Sequence, residues 1–129
     1  MTPRRREVTQ MKVAVSSLGT DLGDRVDDRF GRAMHFLVVD TETGEVLRID
    51  NAENRNALQG AGIASAELVA EHGASAVITG HLGPKAFNAL RMAGIEGYRG
   101  SGMTIDAALE ALRSGDLVRL SEADEGYGA

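Results

Sequence analysis

The side chains best suited to hold an anion or a metal lie in one short run, Thr79-Gly80-His81-Leu82-Gly83-Pro84-Lys85-Ala86-Phe87. Thr79, His81 and Lys85 offer a hydroxyl, an imidazole and an ammonium, with glycines at 80 and 83 that let a backbone approach a ligand closely. A neutral imidazole nitrogen also ligates metals. Arg29 and Arg32 form a second cationic group, and hydroxyl and glycine positions recur at Ser16-Ser17 and at Gly100-Ser101-Gly102. His35 is the other candidate metal ligand, whereas His72, next to Gly73, suits a helix C-terminus, where a cation favours the dipole. The three histidines have no HxxxH spacing, so the sequence does not spell a preformed zinc site. With no Cys in the chain there is no thiolate site, Cys nucleophile or disulfide framework.

The elements that must position these groups follow from periodicity and turn chemistry. Ala74 to Ile78 is short, apolar and partly β-branched, the pattern of a buried strand. Pro84 sits where a first helical residue belongs, because its missing N–H has no partner to lose there, and Ala86, Phe87, Leu90 and Ala93 recur at helical spacing. The run at 79–87 is therefore a strand, a glycine-rich turn and a helix N-terminus, an arrangement that suits anions, although many such turns bind nothing. Upstream, Lys12 to Ser17 is a first strand. Met34 to Asp40 and Glu45 to Asp50 form a hairpin around Gly44. Between strands one and two, Leu18 to Gly31 is a long polar loop, expected to be mobile and to order on ligand binding. Phe30 should anchor it in the core, and Asp24, Asp27 or Asp28 could pair with Arg29 and Arg32. The spacing predicts a helix opening at Gly60-Ala61-Gly62, with Ile63, Ala66, Val69 and Ala70 on its apolar face and Gly73 as its stop. Residues 51–59 read as a polar connection. Ile95 to Arg99 is a fifth strand. Thr104 caps a last helix with an apolar stripe of Ile105, Ala108, Leu109 and Leu112, and residues 117–120 are expected to add a docked turn.

The order β-β-β-α-β-α-β-α and the right-handed crossover rule give a three-layer α/β fold with a five-stranded mixed sheet. Its strand order is 3-2-1-4-5, with only strand two antiparallel. Strands one and four then flank a topological switch point, where ligands bind beyond the carboxyl ends of strands. The loops beginning at Ser16-Ser17, Thr79-Gly80-His81 and Gly100-Ser101-Gly102 meet there.

The chain has 129 residues, 43% hydrophobic and 26% charged, which fits one globular domain spanning 11–120. Residues 1–10, with Arg4, Arg5 and Arg6, read as a flexible extension, Met11 being an alternative start, and residues 121–129 as an acidic tail. A net charge of -5 and 4% aromatics disfavour nucleic-acid binding. No apolar run reaches membrane-spanning length and no signal-peptide core is present, so the expected compartment is the cytoplasm, with no membrane partner.

Four stretches in this order and spacing resemble the dinitrogenase iron-molybdenum cofactor biosynthesis family, the small domain of nitrogenase accessory proteins. They are Met11 to Ser17, Val26 to Arg32 leading into Phe36 to Asp40, Gly60 to Ile63, and Val77 to Phe87. The resemblance implies a ribonuclease-H-like fold and a non-enzymatic role. That role is binding and delivery of an anionic iron–sulfur or iron–molybdenum precursor cluster, with cofactor-assembly proteins as partners. In members similar to the nitrogenase carriers a His precedes the Phe-Gly of the second motif; here that position is Arg29. His81 and His35 remain as candidate ligands, with Met103 a soft third.

Two other classes stand beside this reading. One is a regulatory or interaction domain that binds a small anionic metabolite or a protein and no cluster. The other is a ribonuclease-H-like nuclease, which needs several carboxylates converging on metal ions, yet strand one offers only hydroxyls near its end.

Overall fold

The computed structural model describes residues 11–121. The extension at 1–10 and all but the first residue of the tail at 121–129 lie outside these residues. Strands β1 (Lys12–Ser17), β2 (His35–Asp40), β3 (Val46–Asp50), β4 (Ala76–Thr79) and β5 (Glu96–Arg99) form one sheet in the order β3-β2-β1-β4-β5. β2 runs antiparallel to β1 and β3, and β1, β4 and β5 are mutually parallel. This is the topology that the hairpin and the crossover rule require.

The helices are α1 (Ala52–Arg55), α2 (Ala61–Glu71), α3 (Pro84–Met92) and α4 (Ile105–Ser114). Because successive strand residues face opposite sides, β1 feeds two cores. Ala14 joins Phe30, Phe36, Val69, Val77 and Leu90 under α2 and α3. Val13 and Val15 join Leu37, Ile78, Ile105 and Ala108 under α4. Phe30 is buried, its ring 5.2 Å from that of Phe36 and tilted by 56°, so the Phe-Gly motif does anchor the loop. Such a pair adds about 0.5–1.5 kcal/mol beyond the area it buries.

Three local expectations need correction. Residues 52–55 form a short helix, because Asp50 Oδ1 accepts the Ala52 N–H at 2.8 Å and organises its first turn. Ile63 is exposed, and the buried stripe of α2 is Ala61, Ser65, Ala66 and Val69. At its N-terminus this helix presses a glycine, not an apolar side chain, toward its neighbours. Residues 117–120 dock in extended form rather than as a turn. The Arg99 N–H donates to Val118 O at 2.9 Å and the Leu120 N–H to Gly97 O at 2.8 Å. The segment thus covers the β5 edge and buries Leu120.

The loop after β1 is tied at both ends. The Leu18 N–H donates to Arg25 O at 3.1 Å, Val26 N–H to Met103 O at 3.0 Å, and Asp27 N–H to Ser16 O at 2.8 Å. Its return arm, from residue 25, is thereby laid beside the carboxyl ends of β1 and β4, which is how Arg29 and Arg32 reach the helix N-termini.

Candidate functional site

Three chain segments converge beyond β4. Residues 29 and 81 pair by a parallel backbone bridge, which sets the Arg29–Arg32 arm beside the turn that leads into α3. The start of α2 closes the third side. Two glycines permit the approach. A Cβ on Gly31 would stand 2.8 Å from the Gly62 nitrogen and 2.9 Å from its Cα. A Cβ on Gly62 would stand 3.0 Å from the Ala86 Cβ.

Between the segments lies an open cleft of about 530 Å³, walled by Arg29 to Arg32, by Ala61 and Gly62, and by His81 with Gly83 to Ala86. Its polar side chains are Arg29, Arg32, His81 and Lys85, and the rest of its lining is glycine, alanine, Phe30 and Pro84. Among the described residues no carboxylate lines it, although the whole chain is acidic with a net charge of -5.

The helix ends reinforce this polarity. α2 starts from Gly60, in the left-handed region at φ 76°, and α3 from Gly83; neither receives a side-chain cap and neither carries an acid in its first turn. The N–H groups of Ala61, Gly62 and Ile63, and of Lys85 and Ala86, have no intrahelical acceptor, the first intrahelical donors being Ala64 and Phe87. α4, on the other face, is finished differently: Thr104 Oγ1 accepts the Ala107 N–H at 3.2 Å and Asp106 sits in the first turn. The two helices whose ends meet at the cleft are the ones left open to an anion, each end contributing about 0.3–1 kcal/mol, more where solvent is excluded.

The cationic side chains are held in different ways. Arg29 pairs with the buried carboxylate of Asp27, Nε to Oδ1 at 3.3 Å and Nη2 to Oδ2 at 3.4 Å. Arg32 donates from Nη1 to Arg55 O at 2.6 Å and Ala57 O at 2.8 Å, the carbonyl end of α1, while Arg55 Nε returns a bond to Arg32 O at 3.1 Å. Lys85 is exposed on the first turn of α3.

Of the residues singled out in the sequence, Arg29, Arg32, His81, Gly83 and Lys85 line this cleft. Ser16 and Thr79 lie on the same side of the sheet but are fully buried, their hydroxyls 2.7 Å apart. Ser17 faces the α4 side, buried, its hydroxyl bonded to Gly19 O at 2.6 Å. Gly80 lies under Asp28, whose Cα a Cβ there would meet at 2.7 Å. Gly100 donates to Thr79 O at 2.8 Å. Ser101 and Gly102 lead toward α4, where Gly102 O accepts from Arg25 Nη1 at 3.0 Å. His35 pairs with Ser17 and Asp50 in the sheet, at the β2 position that shares a side with Leu37 and not with Phe36. It therefore faces the α4 side of the sheet, away from the cleft. Among the described residues no group of three or more His, Cys, Asp or Glu is placed to hold a metal ion.

The start of α2 belongs to the cleft, although the sequence reading took it as a helix opening and a stretch of family resemblance and not as part of a site. The sign was present in Gly60-Ala61-Gly62, an N-terminus with no Ser, Thr, Asp or Asn to cap it. A second cleft, of about 450 Å³, lies at the amino end of β1 and mixes Lys12 and His72 with Asp40 and Glu45. It has neither the charge bias nor a helix N-terminus; His72 there is the C-cap of α2.

Comparison with known proteins places these features. The curated relatives include an uncharacterized protein of Methanocaldococcus jannaschii, 32% identical over 113 residues, a match that spans 86% of this chain and 95% of that one. Among solved structures, the apo form of the orange protein from Desulfovibrio gigas superposes with a TM-score of 0.84 at 37% identity, covering 87% of this chain and 94% of that one. A Thermotoga protein solved by NMR and described as NifB-like superposes at 0.76 with 34% identity, over 85% and 93% of the two chains. The family profile described as dinitrogenase iron-molybdenum cofactor matches residues 11–115. The chain therefore belongs to the dinitrogenase iron-molybdenum cofactor family.

Proposed function

We propose that this chain is a non-enzymatic carrier that takes up an anionic iron–sulfur or iron–molybdenum precursor cluster, as cargo, in the cleft between the N-termini of α2 and α3, and exchanges it with cofactor-assembly proteins. The observation that carries the reading is the pairing of two uncapped helix ends with Arg29, Arg32 and Lys85 around a cleft that, among the described residues, no carboxylate lines. A cluster that brings its own sulfides presents a shell of acceptor atoms and a net negative charge. Backbone N–H groups, guanidinium forks and an ammonium meet that shell without any thiolate from the protein. His81 is the side chain in the cleft able to add a nitrogen ligand to an exposed iron. Family membership supports a cofactor-related role, and the relative solved as an apo form shares the fold over most of both chains.

The nuclease reading finds no geometric support. Asp27 lies beside the carboxyl end of β1, whereas Asp40 pairs with Lys12 at its amino end and accepts from Glu42 and Thr43 N–H groups at 2.8 and 3.2 Å. A domain that binds a small anionic metabolite uses the same cleft, and one experiment separates the two. Anaerobic reconstitution with iron and sulfide, followed by a visible spectrum and metal analysis, should give a coloured protein with stoichiometric metal. A colourless, metal-free product after gel filtration would favour the metabolite reading.

A further inference from the structure

We infer that Asp27 is a positioning residue for the anion cleft: its buried carboxylate holds the Arg29 guanidinium so that the remaining N–H groups of the fork face an anion bound at the α2 and α3 N-termini. The inference rests on the anion-site part of the reading above and not on the identity of the cargo.

Asp27 is 2% exposed, an unusual place for a carboxylate unless it is paired. Its backbone is fixed at the switch point of the sheet. The Asp27 N–H donates to Ser16 O at 2.8 Å, and Asp27 O accepts from Ser16 Oγ at 2.6 Å and from Thr79 Oγ1 at 3.3 Å. The buried hydroxyls of Ser16 and Thr79 thus serve the cleft from beneath, by seating Asp27. The carboxylate then turns outward along its own loop. Oδ1 accepts the Arg29 backbone N–H at 3.0 Å and Nε at 3.3 Å, and Oδ2 accepts from Nη2 at 3.4 Å.

A guanidinium has five N–H donors in a rigid plane. Two are used by Asp27, which leaves both on Nη1 and one on Nη2 for a ligand. The side chain of Arg29 is 58% exposed, whereas that of Asp27 is 3% exposed. An anion that drew Arg29 away would strand a buried charge, which is costly, so Arg29 stays and is approached from its open side. An arginine held in this way loses less rotamer entropy on binding than a free one, which is the ordinary gain from preorganisation.

The test uses inorganic pyrophosphate as the probe, titrated by calorimetry into wild type, Asp27→Asn, Arg29→Lys and the double variant, with thermal melts as folding controls. Asp27→Asn keeps the shape and removes the charge. Arg29→Lys keeps the charge and removes the fork, at a surface position that does not endanger folding. Each single variant should bind about tenfold more weakly, and the double variant no worse than either, because both break one unit. The Arg29 Nε proton should give a distinct, slowly exchanging NMR signal in wild type and move into the solvent-exposed arginine envelope in Asp27→Asn. If Asp27→Asn does not fold, the wild-type Nε signal decides: a signal already in the solvent-exposed envelope would overturn the inference.

Additive losses in the double variant, wild-type affinity in either single variant, or tighter binding by Asp27→Asn would overturn the inference; the last would make Asp27 a competitor for Arg29 rather than its support. Absence of pyrophosphate binding by wild type would remove the anion site and this inference together. Pyrophosphate binding without cluster uptake would remove only the cluster reading.

Discussion

Replacing Gly31 by Ala perturbs the cleft at its tightest point. Gly31 does not occupy the positive-φ region, so alanine is conformationally admissible there, and the usual Gly→Ala gain of about 0.4–1 kcal/mol from a less flexible unfolded chain applies. Against it stands the contact. The new methyl would lie 2.8, 2.9 and 3.1 Å from the Gly62 nitrogen, the Gly62 Cα and the Ala61 carbonyl carbon. All three are backbone atoms at the start of α2 and cannot rotate away. Overpacking of this kind costs about 1–3 kcal/mol, so the net effect is a destabilisation of about 1–2 kcal/mol. For a chain of this size that lowers Tm by roughly 4–10 °C. Gly23 is the matched control: it is exposed, outside positive φ, and a Cβ there meets nothing within 4 Å, so Gly23→Ala should leave Tm unchanged or raise it slightly. Melts of the three proteins, with pyrophosphate titrations, make the comparison. Gly31→Ala should lose both stability and affinity, since relief of the contact moves the α2 N-terminus away from the cleft. A Gly31→Ala protein that melts and binds like Gly23→Ala would refute the close approach on which the site is built.

His81→Ala should keep the fold, a surface change of this kind moving stability by about 0.5 kcal/mol or less. It should weaken cluster binding at least about tenfold, or about 1.4 kcal/mol, in a visible-absorbance titration. Thr104→Ala should cost about 1 kcal/mol through loss of the α4 cap without changing anion affinity, since that cap lies on the other face. Burial, and then the hydrogen bond and charge of Glu96, raise the Tyr98 phenol above its ordinary value. The folded state therefore holds this proton more tightly, so its contribution to stability is complete below about pH 10 and is lost as pH rises through the folded-state value. An ultraviolet pH titration compared with Tyr98→Phe should show phenolate forming late. In hydrogen exchange without ligand, Leu18, Val26 and Asp27 should be protected more than the tip around Gly19–Gly23, because the former amides donate to the backbone carbonyls of Arg25, Met103 and Ser16 whereas Gly19 and Asp21 donate only to side chains of the loop and strand end.

The sheet order was legible because a tight hairpin followed by two βα units leaves few topologies that keep right-handed crossovers. The α3 end of the cleft was legible for a similar reason: Gly83-Pro84 marks a helix start unambiguously. The α2 end was not, because its contribution lies in what Gly60 and Gly62 lack, a cap and a side chain, and periodicity counts only what is present. Ile63 misled for the same reason. The hydroxyl and glycine positions of the three converging loops looked equivalent in sequence. Strand alternation divides them between two faces of the sheet, and burial spends Ser16 and Thr79 on Asp27. His35 belongs to the α4 side because a single residue of register reverses the face. Asp27 was one of several loop acids beside Arg29, and only the fold shows that it is the buried one.

The central claim, that cargo sits between the N-termini of α2 and α3, is tested most directly by NMR. The ¹⁵N-labelled protein is titrated anaerobically with a preassembled paramagnetic iron–sulfur cluster capped by small thiolates. Electron–nuclear relaxation should bleach the amide signals of residues 29–32, 61–63 and 81–86 first and leave those around Lys12, Asp40 and His72 sharp. Bleaching centred on the latter cleft, or spread evenly over the surface, would contradict the account.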